Sequence, residues 1–174
     1  NPIKFVGLDN FVRLFTKDSS FRIALVNTIY YTVVTVPLTL GLALFLAILM
    51  NKKLKGRVFF RSVLFFPYVA SLVAVAVVWM ALFNPDRGPV NSLLMAIGIS
   101  NPPRWAASTT WAMPTIIGLT VWKGMGYYMI VYLAALQGVS NELYEAASLD
   151  GANKWQLFRH ITWPVLRRRP FSLL

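Results

Sequence analysis

The chain has 174 residues, 57% of them hydrophobic and 13% charged, with a mean hydropathy of +0.58. A soluble globular domain carries roughly 25% charged residues, so this composition excludes an ordinary water-soluble fold and points to a membrane protein. The formal charge of +11 does not indicate nucleic-acid binding, because the basic residues gather at the ends of apolar runs; cysteine is absent, which removes disulfide and thiol chemistry.

Residues 1–22 are mixed in character. Phe11, Leu14 and Phe15 recur at i, i+3 and i+4, with Asp9 or Asn10 as the cap. That spacing predicts a short amphipathic helix on a membrane surface. Ile23 to Asn51 then holds 29 uncharged residues. About 20 are enough to cross the hydrocarbon core. At 1.5 Å per residue this run is about 43 Å long, a first span with room to tilt. Pro37 should kink it. Asn27 and Thr28 near its start are either helix–helix hydrogen-bonding groups or residues at interface depth.

Lys52, Lys53, Lys55, Arg57 and Arg61 come next, without an acid between them. Ser62 to Pro85, 24 uncharged residues, predicts a second span, with Pro67 near its beginning and Trp79 near its end. Asn84 to Pro89 is a turn cluster, Val90 to Ile99 a short apolar surface helix, and residues 101–103 a loop. Trp111 to Gln137 predicts a third span, uncharged apart from Lys123. The chain opens at Asn1 without Met and closes as an apolar run begins at Phe171, which is the pattern expected of a fragment; no signal-peptide pattern is seen at its start.

Basic residues mark the cytoplasmic side. Residues 51–61 and 138–166 are therefore expected inside, with 1–22 and 84–111 outside. Lys4, Arg13, Lys17 and Arg22 run against this assignment.

The polar stretch from Glu145 to Pro164 stands out among the apolar runs. It predicts two short helices around a turn. Asn141 or Ser140 caps the first helix, and Leu143, Ala146 and Ala147 share one face. Asp150-Gly151 stops that helix, since Gly takes the left-handed position without a Cβ penalty. Trp155, Phe158 and Ile161 put an apolar stripe on the second helix, which Pro164 interrupts. Two adjacent alanines leave room for another protein's backbone. The plain alternative is an amphipathic surface hairpin.

Glu145-Ala146-Ala147, Gly151, Ile161 and Pro164, in that order and spacing, resemble the "EAA" loop of ABC-importer permeases. Asp150-Gly151-Ala152 and Trp155-Gln156 resemble the carbohydrate-uptake branch, of the sugar and glycerol-phosphate type; Trp163 departs from the family's usual Leu. The string from Phe5 to Phe11 is similar to the family's segment between its first two spans. The resemblance covers nearly the whole chain. It implies an all-α, polytopic transmembrane helical bundle of the type 1 importer kind, multi-pass in a bacterial inner membrane. The intact permease would have about six spans; about three, plus the cytoplasmic EAA loop, are visible here. Residues 1–22 would form an external amphipathic segment, 23–174 an incomplete permease domain and 138–166 its coupling loop. Implied partners are cytoplasmic ATP-binding subunits carrying ATP and magnesium, a second permease subunit, an external solute-binding protein and the lipid bilayer, with no nucleic acid. Glu145 would make a charge contact with the ATPase, Ala146 and Ala147 would fit its surface, and Gly151 would set the angle between the two short helices. A permease for an amino acid, metal complex or peptide, or an ATPase-independent channel or scaffold, are the alternatives.

No P-loop, G-x-S-x-G, H-E-x-x-H or paired-cysteine spacing occurs, so no cofactor, metal or catalytic residue is expected on this chain. His160 reads better as a polar loop residue than as a ligand or proton relay. Lys123 is the one charge within a span, about 18 Å from Trp111. It faces a solute pathway together with Tyr127 and Tyr128, or snorkels to the outer interface, or meets backbone carbonyls in a packed contact. For the tyrosines, an aromatic belt is the alternative.

Overall fold

The computed structural model describes residues 7–52 and 55–168. Lys4, Lys53 and Arg169 of the basic clusters, and the apolar run at 171–174, lie outside them, as does the start of the Phe5 to Phe11 string. No strand occurs among the described residues, in keeping with an all-α fold.

Helix α1 (Asp9–Thr16) forms where the i, i+3, i+4 pattern predicts. Its N-cap position is Leu8, without a side-chain bond. Asp9 and Asn10 therefore do not cap it; Asp9 sits in the first turn, where its charge meets the positive end of the helix dipole. Helix α2 (Ser19–Asn51) begins ahead of the predicted Ile23. Asp18 is the reason, since its carboxylate accepts the Phe21 N–H at 3.0 Å. Pro37 lies inside α2 and the helix continues through it.

The run expected to form the second span is two helices, α3 (Arg57–Val69) and α4 (Leu72–Leu82), bent by 102°. The break falls at Ala70-Ser71, both in extended conformation, and not at Pro67, which lies within α3. The side chain of Lys123 reaches the break from another helix and donates to its carbonyls.

Helix α5 (Pro89–Ala96) opens with proline at a position where no N–H is needed. A 3₁₀ turn at Trp105–Ala107 comes next, and then α6 (Ala112–Gln137). The connection is held by Asn91, which is 2% exposed. Its amide donates to the Pro85 and Pro103 carbonyls at 2.9 and 3.2 Å, and its oxygen accepts from the Trp105 indole at 2.6 Å. Trp79, Phe83, Trp105, Trp111 and Trp122 stack into one aromatic cluster at this end.

Helices α2 and α6 run side by side in the same direction, Tyr31 meeting Thr120 near one end and Met50 packing with Leu136 at the other. Thr35, Thr39, Ala43 and Ala47 are buried on α2, one per turn. Small residues at this spacing let two backbones approach, which is how helices associate where burial from water supplies no drive. At the far end Met50, Met129, Leu133 and Leu136 fill the core, joined by Leu166. Arg61 closes the end of α2 by donating to the Met50 carbonyl at 2.9 Å.

Helix α7 (Asn141–Leu149), helix α8 (Lys154–Leu157), a π turn (Phe158–Thr162) and helix α9 (Trp163–Arg168) complete the described chain. Helices α2 and α6 are each long and apolar enough to cross a membrane, and the bent pair α3–α4 makes a third crossing if it counts as one.

Candidate functional site

Two places carry the residues singled out from the sequence. The first is the loop from Ser140 to Leu166. The Ser140 hydroxyl accepts the Glu142 N–H at 3.2 Å and so caps α7. At the other end Gly151 takes φ +79°, the left-handed conformation expected of it. The Gly151 N–H donates to the Ser148 carbonyl at 3.1 Å, and the Ala152 N–H to the Ala147 carbonyl at 3.0 Å. This pair of bonds is a Schellman motif, which satisfies carbonyls that would otherwise be left at a helix end. A Cβ at Gly151 would meet nothing within 4 Å, so backbone conformation alone requires glycine there.

The next helix starts two residues later with a reciprocal pair. Asn153 Oδ1 accepts from the Gln156 N–H at 2.9 Å, and Gln156 Oε1 accepts from the Asn153 N–H at 2.8 Å. This is a capping box. Pro164 interrupts the second helix without ending it. It has no N–H to offer the carbonyl four residues back. The Trp163 N–H instead reaches the Phe158 carbonyl, five residues back, and α9 continues to Arg168. Trp155 stacks on Phe158 with ring centres 5.7 Å apart.

The loop has a bare tip and an anchored base. Glu145, Ala146 and Asp150 are exposed and Ala147 is half-buried. Leu149 is 89% exposed and Trp155 65%. Leu143 is exposed as well, so the apolar face of α7 is not covered by the described residues of this chain. At the base Tyr144 and Thr162 share a hydrogen bond of 2.9 Å, Ile161 and Pro164 are half-buried, and Leu166 is 2% exposed in the core between α2 and α6. His160 is exposed and bonded to the Gln156 carbonyl. Among the described residues no group of three His, Cys, Asp or Glu could hold a metal ion.

The second place is the middle of α6, where the structure separates three residues expected together. Lys123 and Tyr127, one turn apart, face the α3–α4 break. The Lys123 ammonium donates to the carbonyls of Pro67, Tyr68 and Ala70 at 3.0, 2.8 and 2.9 Å. Tyr68 and Tyr127 stack at 4.6 Å beside it. Tyr128 faces the other way. It lines a cleft of about 470 Å³ between α2 and α6, with Tyr31, Thr35, Thr39 and Thr120. The Tyr31 hydroxyl donates to Thr120 at 3.0 Å, while the buried hydroxyls of Thr35 and Thr39 have no partner among the described residues.

Residues 39–173 match the family described as binding-protein-dependent transport system inner membrane component. The chain belongs to that family. The chain is 42% identical over 167 residues to the lactose transport system permease protein LacF of Rhizobium radiobacter, covering 95% of this chain and 55% of that one. It is 38% identical to the arabinooligosaccharides transport system permease protein AraP of Bacillus subtilis, covering 95% and 52%. Among solved structures, a bacterial ABC transporter involved in import of the acidic polysaccharide alginate superposes with a TM-score of 0.84 at 31% identity, covering 97% and 59%. The chain thus spans about half the length of the curated relatives it matches.

Sequence reasoning misses three structural features of this chain, carried by four residues. The box Asn153-x-x-Gln156 is legible as a short motif. Asn91 and Arg61 are not, because their partners lie in other elements or at a helix end whose position the sequence does not mark.

Proposed function

We propose that this chain is about half of the transmembrane subunit of an ATP-driven importer for sugars or related solutes, and that the loop at 138–166 couples it to a cytoplasmic ATPase. The observation that carries the reading is the build of the loop. Its tip leaves Leu149, Trp155, Ala146 and Glu145 uncovered, while its base ends in the core through Leu166. Force applied at such a tip reaches the spans through packed side chains and not through a slack linker.

In this reading Glu145 makes a charge contact with the ATPase. Ala146 and Ala147 allow its backbone close, and Asp150 and Gly151 fix the angle between α7 and α8. Trp155, Ile161 and Pro164 shape the second limb. ATP and magnesium bind the partner ATPase, where hydrolysis takes place. Closure of the ATPases selects the outward-facing state of the spans. A second permease subunit completes the pathway. An external solute-binding protein delivers the solute; an alginate transporter similar to this chain is known in complex with a pentasaccharide-bound periplasmic protein. The distribution of basic residues supports an orientation with the loops at 51–61 and 138–166 inside and 84–111 outside.

The carbohydrate class is supported by lactose and arabinooligosaccharides in the relatives' names. We place the solute pathway along α6 at Tyr128 and the threonine cleft; Lys123 and Tyr127, expected there with it, face the α3–α4 break instead. The test is co-purification of the ATPase with the intact permease, followed by growth of a deletion strain on single carbon sources. Loss of the ATPase with Glu145→Ala and with Gly151→Pro is expected. Retention of a full complement in both variants would overturn the coupling role.

A further inference from the structure

A helix that breaks inside a membrane leaves carbonyls with no N–H partner, and no water in the hydrocarbon region can replace one. Here the break at Ala70-Ser71 removes the N–H groups that would have served Pro67 and Tyr68. Their carbonyls, with that of Ala70, converge on one point within 3.0 Å of Lys123 Nζ. An ammonium has three N–H groups, and all of them are used. None is left for a solute hydroxyl. The positive charge also lies at the C-terminus of α3, the negative end of its dipole. The Tyr68 ring, 5.7 Å from Nζ, adds a third attraction for a cation. Gly126 lets the α3 backbone come this close, since a Cβ there would overlap the Leu64 carbonyl.

We infer that Lys123 is a positioning residue, a tethered cation that holds the second span in its broken form and so sets the direction of α4 and the aromatic cluster at its end. Its charge acts on the backbone of α3 and not on the solute. The break itself then contains a cation site of defined chemistry: three carbonyls and one ring face, filled by the chain's own ammonium. Without that ammonium the carbonyls draw α3 and α4 toward a straight helix, in which the N–H groups of Ser71, Leu72 and Ala74 can satisfy them.

The inference uses the permease reading only for its transport readout, so the test measures geometry as well. In the intact, assembled transporter, spin labels on cysteines introduced at Val78 and Ile116 report the separation of α4 and α6; both positions are exposed and the chain has no native cysteine. Lys123→Ala should shift or broaden that distance and lower the uptake rate about tenfold or more, with the solute KM unchanged. Added n-propylammonium, which supplies the missing atoms and charge, should restore both saturably; n-propanol should restore neither. Lys123→Arg should keep the native distance. A native distance together with a normal rate in Lys123→Met would overturn the inference. So would a Lys123→Ala variant whose KM rises while the distance stays put, which would make Lys123 a solute contact. If the wild-type assembly shows no sugar uptake, the functional reading fails while the distance measurement still decides the role of Lys123.

Discussion

The chain breaks its helices in two different ways, and the contrast is instructive. At Gly151 the turn is built entirely from its neighbours: a glycine at φ +79°, a Schellman pair behind it and the Asn153–Gln156 box ahead. At Ala70-Ser71 there is no glycine, no side-chain cap and no left-handed residue. That break is held from a helix more than fifty positions away in sequence, by Lys123. Exposed backbone can turn on local chemistry because water completes the hydrogen bonds. Backbone between packed spans needs a partner brought to it.

The largest effect is expected where the second break is most crowded. Gly126→Ala sets a Cβ against the Leu64 carbonyl, and backbone cannot swing aside as a side chain can. A cost of about 1–3 kcal/mol is expected, the range for overpacking. It would be read as a lower unfolding temperature of the purified transporter. At Gly151 the same substitution meets open space, so Gly151→Ala costs only the left-handed strain, about 1–2 kcal/mol. Equal melting temperatures for the two variants would erase the distinction between the breaks.

Gly151→Pro sharpens the comparison by a different readout. Proline cannot adopt φ +79° and removes the N–H that bonds Ser148. Because the turn is local, the permease should still insert, yet no longer hold or stimulate its ATPase. ATPase stimulation and uptake both at wild-type levels would remove the loop from the coupling role.

Asn153→Ala is the milder probe of the local turn. It deletes one half of the capping box and should cost about 1 kcal/mol. Hydrogen exchange should quicken at Gln156 and its neighbours and remain unchanged at residues 67–71. Acceleration at both places would mean that the two breaks are energetically linked.

Least perturbing is a test of sidedness. Cysteine at Ser92 exchanges one small side chain for another, and cysteine at Asn153 costs at most the lost half of the capping box. An impermeant reagent applied to intact cells should label the first and spare the second. The reverse pattern would invert the orientation that the basic residues imply.

The same contrast explains what could be read in the sequence. The first and third spans are legible as long apolar runs, the third carrying one charge, and the helix–turn–helix loop is legible in Ser140, Gly151 and the spacing of its apolar residues. These are near-neighbour properties. The second span reads as one run because hydropathy averages over Ala70-Ser71 without registering a donor on α6. Lys123 itself stands out in the sequence as a charge within a span, but its three acceptors are backbone atoms, which leave no trace in residue identities. Asp18 escapes notice for a simpler reason: the uncharged run begins at Ile23, but the helix begins at the nearest good cap.

The π turn at Phe158–Thr162 has a consequence for how the loop tip is oriented. Consecutive residues of an α-helix are separated by about 100° around its axis. By taking one additional residue into a turn, the chain changes the phase between α8 on one side and α9 on the other. Trp155 before the π turn and Leu166 after it therefore point in directions that a continuous helix would not permit. Deleting a single residue here would restore regular winding and rotate the tip against its anchor by about that angle. The π turn acts as a vernier: its spare residue sets the bearing of the loop tip relative to the spans, independently of how firmly the two are joined.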